Sequence, residues 1–248
     1  MLHWFVAAGL AVGIATAPQP ANAAELIILG SQGSISGVRD MAAAFERASD
    51  HKVIARQERS VLATVNAGTP ADIATLNPPQ IDDLIKQGKV VGSRVDFARA
   101  GIGVAIKAGA PKPDLSNTEA FVRMLRNAKS IGYSQGGSGL MVANIIKALG
   151  LTEELKARTK FLDGFPAAEA VARGEVEIAL QQINVILPVA GAALGGPLPP
   201  ELQQYNHFAV GVLAVSKDRA AATAMVRFMA APENAEVLRK GGLEPPAR

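Results

Sequence analysis

The 248-residue sequence contains no cysteine. Disulfides, thiol nucleophiles, thiolate metal sites and a lipid-bearing cysteine at a cleavage point are therefore excluded. Tryptophan occurs once, as Trp4, in a leader expected to be removed, so a sugar site of stacked tryptophans is excluded as well. Histidine is scarce: past the leader only His51 and His207 remain, far apart, and no metal site or cofactor is expected. The net charge is a thinly spread +3 with no basic block, which argues against nucleic acid as a partner. The apolar run Trp4–Ile14 is too short to span a bilayer.

What is present begins with that leader. Residues 1–23 carry no Asp, Glu, Lys or Arg, and Pro18 and Pro20 break the apolar run. Ala21-Asn22-Ala23 supplies the small-x-small pattern of a signal peptidase site, so export to the periplasm with cleavage near Ala23 is expected.

The rest of the chain alternates short apolar strands with amphipathic helices, the pattern of an α/β fold with mainly parallel sheets flanked by helices. Glu25–Arg47 sets the unit: an apolar run, a Gly/Ser turn, then a helix with Val38, Met41, Ala42 and Phe45 at helical spacing. Further strands are expected at 52–56, 73–76, 101–107, 130–133, 177–181 and 208–215. The second unit set leaves near Phe97 and returns through the rigid Gly195–Pro200 connection. Two lobes follow, one from 24–97 plus 208–248 and the other from 98–207.

Four strand-to-helix turns share one chemical character: Ser31-Gln32-Gly33-Ser34, Arg59-Ser60, Asn77 and Ser134–Ser138. Each sets a hydroxyl or amide beside helix N–H groups that have no partner in the helix. Such ends favour anions by about 0.3–1 kcal/mol each. A single turn of this kind usually only caps its own helix. Several at matching positions point to one small anion at the C-terminal ends of the strands, bound without being transformed. Arg59 could grip a carboxylate with two N–H groups. Gln181 and Gln182 end a strand and could donate amide N–H groups, or bond only to backbone.

Rival motifs are weaker. GSQGSISG lacks the GxGxxG spacing and the lysine of a phosphate loop. Gly132-Tyr133-Ser134-Gln135-Gly136 matches the nucleophile elbow of serine hydrolases, and Asp163 and His207 follow in the right order. The preceding strand is short of apolar residues, however, and the next helix is expected only from Ser138, too late for a strand-to-helix kink at Ser134.

Ala42–Phe45 before SDHKV, Asn66–Asp72 (NAGTPAD), Lys86–Val90, Gly101–Ala105, Arg173-Gly174-Glu175 with EIALQQ, and Gly196–Leu202 form an ensemble. Together they resemble periplasmic solute-binding proteins of the type II fold, in the molybdate-binding-like branch of ABC importers. The resemblance covers essentially the whole exported chain. It implies a monomer whose two lobes close on a small anion and which delivers it to an inner-membrane ABC permease. Ligand residues implied by matching positions are Gly33 or Ser34, Ser60, Asn77 and Gly137, Ser138 and Gly139; Ser31 and Arg59 join them from the turns. Where molybdate binders place a tyrosine after EIALQ this chain has Gln182, and their first-loop serine falls on Gly33. The expected ligand is a small anion, either a molybdate-like oxyanion or, because both departures count against molybdate and tungstate specifically, a small organic anion held partly by Arg59. A secreted hydrolase using Ser134, or a ligand sensor without a transport role, are the alternative readings.

Overall fold

The computed structural model describes residues 23–134 and 136–246. The expected leader lies outside the described residues except for Ala23. No helix among the described residues is long and apolar enough to cross a membrane.

Strand β1 (Glu25–Gly30) is nearly all apolar because both of its faces are covered. Leu26 and Ile28 meet one core cluster with Phe45, Phe97 and Phe208, while Leu29 meets a second with Ile81 and Leu84. Helix α1 (Ile35–Ala48) lays Val38, Met41, Ala42 and Phe45 on the first cluster. Then come β2 (Lys52–Gln57), α2 (Val61–Asn66), β3 (Ile73–Leu76) and α3 (Pro78–Lys86). Asn77 caps α3 with Pro78 opening its first turn, as such a pair should. The Asp72 of the NAGTPAD segment is a tie within the fold. Buried, it accepts Ile27 N at 2.9 Å and Ser216 Oγ at 2.7 Å.

Strand β4 (Val90–Lys107) is far longer than the expected Gly101–Lys107. The polar residues of its first half are paired: Arg94 with Asp82 of α3 and with Asp96 on the same strand, and Arg99 with Glu244. Beyond it lie α4 (Thr118–Asn127), β5 (Ile131–Ser134), α5 (Gly137–Ala148), α6 (Thr152–Leu155), β6 (Thr159–Leu162), α7 (Ala167–Ala172), β7 (Ile178–Gln182) and α8 (Ile183–Ile186). The connection expected at Gly195–Pro200 is in part a strand, β8 (Ala192–Pro197). Strand β9 (Tyr205–Leu213), then α9 (Arg219–Ala230) and α10 (Ala235–Lys240) close the chain.

Strands run in the order β2-β1-β3-β9-β4-β7-β5-β6, with β8 also on β4. The pairs β1–β2, β1–β3, β5–β6 and β5–β7 are parallel, whereas every described antiparallel pair involves β4 or β9. The chain thus has two parallel α/β sets joined through long antiparallel strands. The junction is sharply defined. β9 pairs with β4 up to Gly101, and β8 takes over the same edge at Gly103. Between them the Gln203 amide fills the gap, accepting Ile102 N at 2.8 Å and donating to Ile102 O at 3.0 Å. On this edge the side chain stands in for a strand, with Leu198 N also donating to Ile102 O at 3.1 Å.

Candidate functional site

A cavity of about 670 Å3 lies between the lobes, within the range of small-molecule sites. The turns after β1, β2 and β3 form one wall, those after β5, β6 and β7 the other, and the start of β9 closes the back. Strand C-terminal ends from both sets therefore converge, the usual ligand position in open α/β sheets.

Seven of the ten expected residues line this cleft: Ser31, Gly33, Arg59 and Asn77 from one lobe, Gly137, Ser138 and Gln182 from the other. Asn77 is partly occupied, its Oδ1 accepting Gln80 N at 3.0 Å. Helix α5 opens with Gly136 at its cap and no side-chain acceptor, so first-turn N–H groups at Gly137 and Ser138 remain for a ligand.

Three expected residues lie elsewhere. Ser34 is fully buried, with its Oγ 2.9 Å from Thr75 Oγ1 and accepting Ser31 N at 3.0 Å. Thr75 donates to Leu29 O, so Ser34 donates to Thr75 and its hydroxyl is fully engaged in the core. Ser60 is exposed and caps α2, accepting Ala63 N at 3.2 Å, away from the cavity lining. Gly139 has a packing role. A Cβ there would sit 1.5 Å from Ser134 O, so only glycine lets α5 start directly against the end of β5.

Other cleft residues were not expected as ligand groups. Asn206 and His207, at the head of β9, line the back wall. The Asn-His pair in front of the apolar run Phe208–Leu213 is the signal that could have found them, since a polar start to a buried strand has to face something polar. Asn206 Nδ2 and Gln182 Oε1 are buried atoms without a partner among the described residues. Gln181, by contrast, is engaged: its Oε1 accepts Ala168 N at 3.2 Å and so caps α7.

Charged groups at the cleft offset one another. Glu58 is held by Arg56 at 2.7 Å and by Thr64 Oγ1 at 3.1 Å. Arg59 reaches across the mouth to Asp163 of the other lobe at 3.4 Å, and both side chains are largely exposed. Outside the cleft lining, the buried Asn184 ties the lobes together, its Nδ2 donating to Gly33 O and Ser36 Oγ, each at 2.9 Å. Burial pushes the phenol of Tyr133, just before Ser134, above its ordinary value.

The hydrolase triad of the rival reading is not assembled. Among the described residues Ser134 makes no hydrogen bond to His207, and Asp163 is turned to Arg59. Helix α5 starts three residues after Ser134, at Gly137, so the serine sits on a strand end and not on a strained elbow.

Residues 26–244 match the family described as bacterial extracellular solute-binding protein. The chain is 30% identical over 229 residues to a protein named aconitate isomerase from Pseudomonas sp., covering 89% of this chain and 87% of that one. To the molybdate-binding protein of Azotobacter vinelandii it is 25% identical over 246 residues, 94% of this chain and 95% of that one. The solved structure of the Azotobacter vinelandii periplasmic molybdate-binding protein matches with a TM-score of 0.73 at 19% identity, covering 90% of this chain and 100% of that one. At that identity the likeness is one of fold. The type II binding-protein architecture is the one observed.

Proposed function

Because the chain belongs to the bacterial extracellular solute-binding protein family, we propose that it is an exported, monomeric capture protein. Its lobes close on a small organic anion, which it hands to an inner-membrane ABC permease. The observation that carries this reading is the cleft itself: an uncapped helix start at Gly137 and unpartnered amide groups on Gln182 and Asn206 meet in one interlobe cavity. With Glu58 and Arg59 each offset by a partner, a negative solute would be solvated mainly by neutral N–H groups and helix ends. A single tetrahedral oxyanion would fill only a corner of 670 Å3. A carboxylate of several carbons uses more of it, and Arg59 stands at the mouth to meet one end. Closure is driven by contacts that exist only when both walls reach the ligand.

Thermal-shift screening of the exported protein tests this directly. The panel is molybdate, tungstate, sulfate, phosphate and small di- and tricarboxylates, because a ligand of the native state raises Tm. A carboxylate is expected to give the largest shift; a response to molybdate or tungstate alone would overturn the organic-anion reading.

One observation favours a second reading, an isomerase working in the same cleft: the 30% identical relative carries the name aconitate isomerase. His207 and Asp163 supply titratable groups at the cavity wall. Incubation with cis-aconitate, followed by NMR for the trans isomer, separates the two. Binding without turnover supports capture, and turnover abolished by His207→Ala supports the isomerase.

A further inference from the structure

Resting on the reading that the cleft captures a small carboxylate, we propose that it selects acids bearing a hydroxyl beside a carboxylate, and that Gln182 reads the hydroxyl. Gln182 is the last residue of β7, only 6% exposed, and lines the cleft. Its Oε1 is buried without a partner, and among the described residues its Nε2 makes no hydrogen bond. The amide packs against the bare Cα of Gly33, where a Cβ would lie 2.8 Å from Oε1 and 3.1 Å from Nε2. Gly33 thus leaves the amide room and offers it nothing.

An amide in this state has one acceptor and one donor group to satisfy. Molybdate, sulfate or a fully ionised carboxylate carries acceptors only. Such a ligand satisfies the NH2 and leaves the carbonyl oxygen orphaned in a closed cleft, which is costly. The oxygen requires an O–H or N–H donor. An ammonium is disfavoured because the cleft's carboxylates, Glu58 and Asp163, already face Arg56 and Arg59. A hydroxyl next to a carboxylate fits: the hydroxyl donates to Gln182, whose NH2 meets the carboxylate. Asn206 supplies a second group from the back wall, its Nδ2 buried and unpartnered among the described residues while Oδ1 faces the start of α5, 3.6 Å from a Cβ placed on Gly137. A site built to bond a hydroxyl rejects the analogue lacking it far more strongly than a site of mere shape does.

The test is calorimetric titration of the exported protein with citrate against tricarballylate, the same skeleton with and without the hydroxyl, and with malate against succinate for a smaller ligand. The hydroxy acid of at least one pair is expected to bind about tenfold or more tightly than its partner. Gln182→Leu should bring that ratio close to one, chiefly by weakening the hydroxy acid. Gln182→Met, closer in shape, should do the same, and circular dichroism confirms that each variant folds. Equal binding within both pairs by the unsubstituted protein overturns the proposal, as does a ratio that survives both variants. Binding of inorganic oxyanions alone overturns it and leaves an anion-binding cleft standing; binding of no anion at all overturns the capture reading too.

Discussion

The two lobes bring similar-looking turns to one cleft and differ in what those turns leave unengaged. In the first lobe, Ser34 faces Thr75, Ser60 caps α2 and Asn77 caps α3. The N–H groups of Ser34 and Ile35 also close back on Ser31 O, at 3.0 and 2.9 Å. In the second lobe, α5 starts on a glycine with no side-chain cap, and Gln182 ends a buried strand with an amide that no described residue contacts by hydrogen bond. The first lobe therefore contributes shape and one exposed cation, and the second contributes unfilled hydrogen-bonding capacity. Residue type marks where helices start. What can bind is decided by which polar groups the fold has left without partners.

The largest expected effect tests the second lobe's geometry. Gly139→Ala forces α5 away from Ser134 O, since its Cβ would fall 1.5 Å from that atom. Overpacking of this kind costs about 1–3 kcal/mol or more when backbone has to shift. Chemical denaturation should show that loss, and anion affinity should fall with it as the N–H groups of Gly137 and Ser138 are displaced. Normal stability and affinity would mean that the close packing of α5 on β5 is not what builds the wall.

Next in size is Asn206→Ala, for which stability and binding should move in opposite directions. Deleting a buried donor that has no partner relieves its desolvation, so the ligand-free protein should be unchanged or slightly more stable. Affinity should drop by about 1–3 kcal/mol if Nδ2 donates to an anion. A joint loss of both would return Asn206 to the scaffold. Thermal melting with calorimetry on one preparation distinguishes these outcomes.

How far the sequence carries is visible in these same residues. Strand and helix alternation, the caps at Asn77 and Ser60 and the apolar stripe of α1 are local patterns, and the fold follows from them. The first half of β4 was illegible because Arg94 and Arg99 look like loop residues until Asp82 on α3, Asp96 on the strand itself and the distant Glu244 are seen to offset them. Most of the cleft residues were legible as turn chemistry. Ser34, Ser60 and Gly139 were misplaced because a serine hydroxyl or a bare Cα reads the same whether it faces a ligand, a threonine, a helix N–H or a carbonyl oxygen. Asn206 escaped because its importance lies in a missing partner, a property that no local pattern contains.

On the first lobe, intermediate effects should fall on stability alone. Ser60→Ala removes a helix cap and should cost about 1 kcal/mol. Ser34→Ala leaves Thr75 and Ser31 N each short of a partner and should cost about 1–3 kcal/mol. Neither should change anion affinity beyond about twofold, well under the 1.4 kcal/mol of a tenfold change. Weakened binding by either folded variant would erase the contrast between the lobes.

The smallest effect sits where the lobes meet in solvent. Arg59 and Asp163 approach at 3.4 Å with side chains 90% and 68% exposed, and exposed pairs of this kind are worth about 0–1 kcal/mol. Asp163→Asn should therefore leave stability nearly unaltered. It also removes a carboxylate that competes with the ligand for Arg59 and repels any anion entering the mouth. Affinity for a carboxylate should rise, by no more than about fivefold given that energy scale. Because the competing charge lies in solvent, the gain should shrink as ionic strength rises past physiological values and the screening length falls below about 8 Å. A gain that persists in high salt would mean Asp163 acts from a buried position in the bound form. A loss of affinity would mean the ion pair closes the cleft over the ligand, giving the first lobe a part in holding the solute that its capping residues do not have.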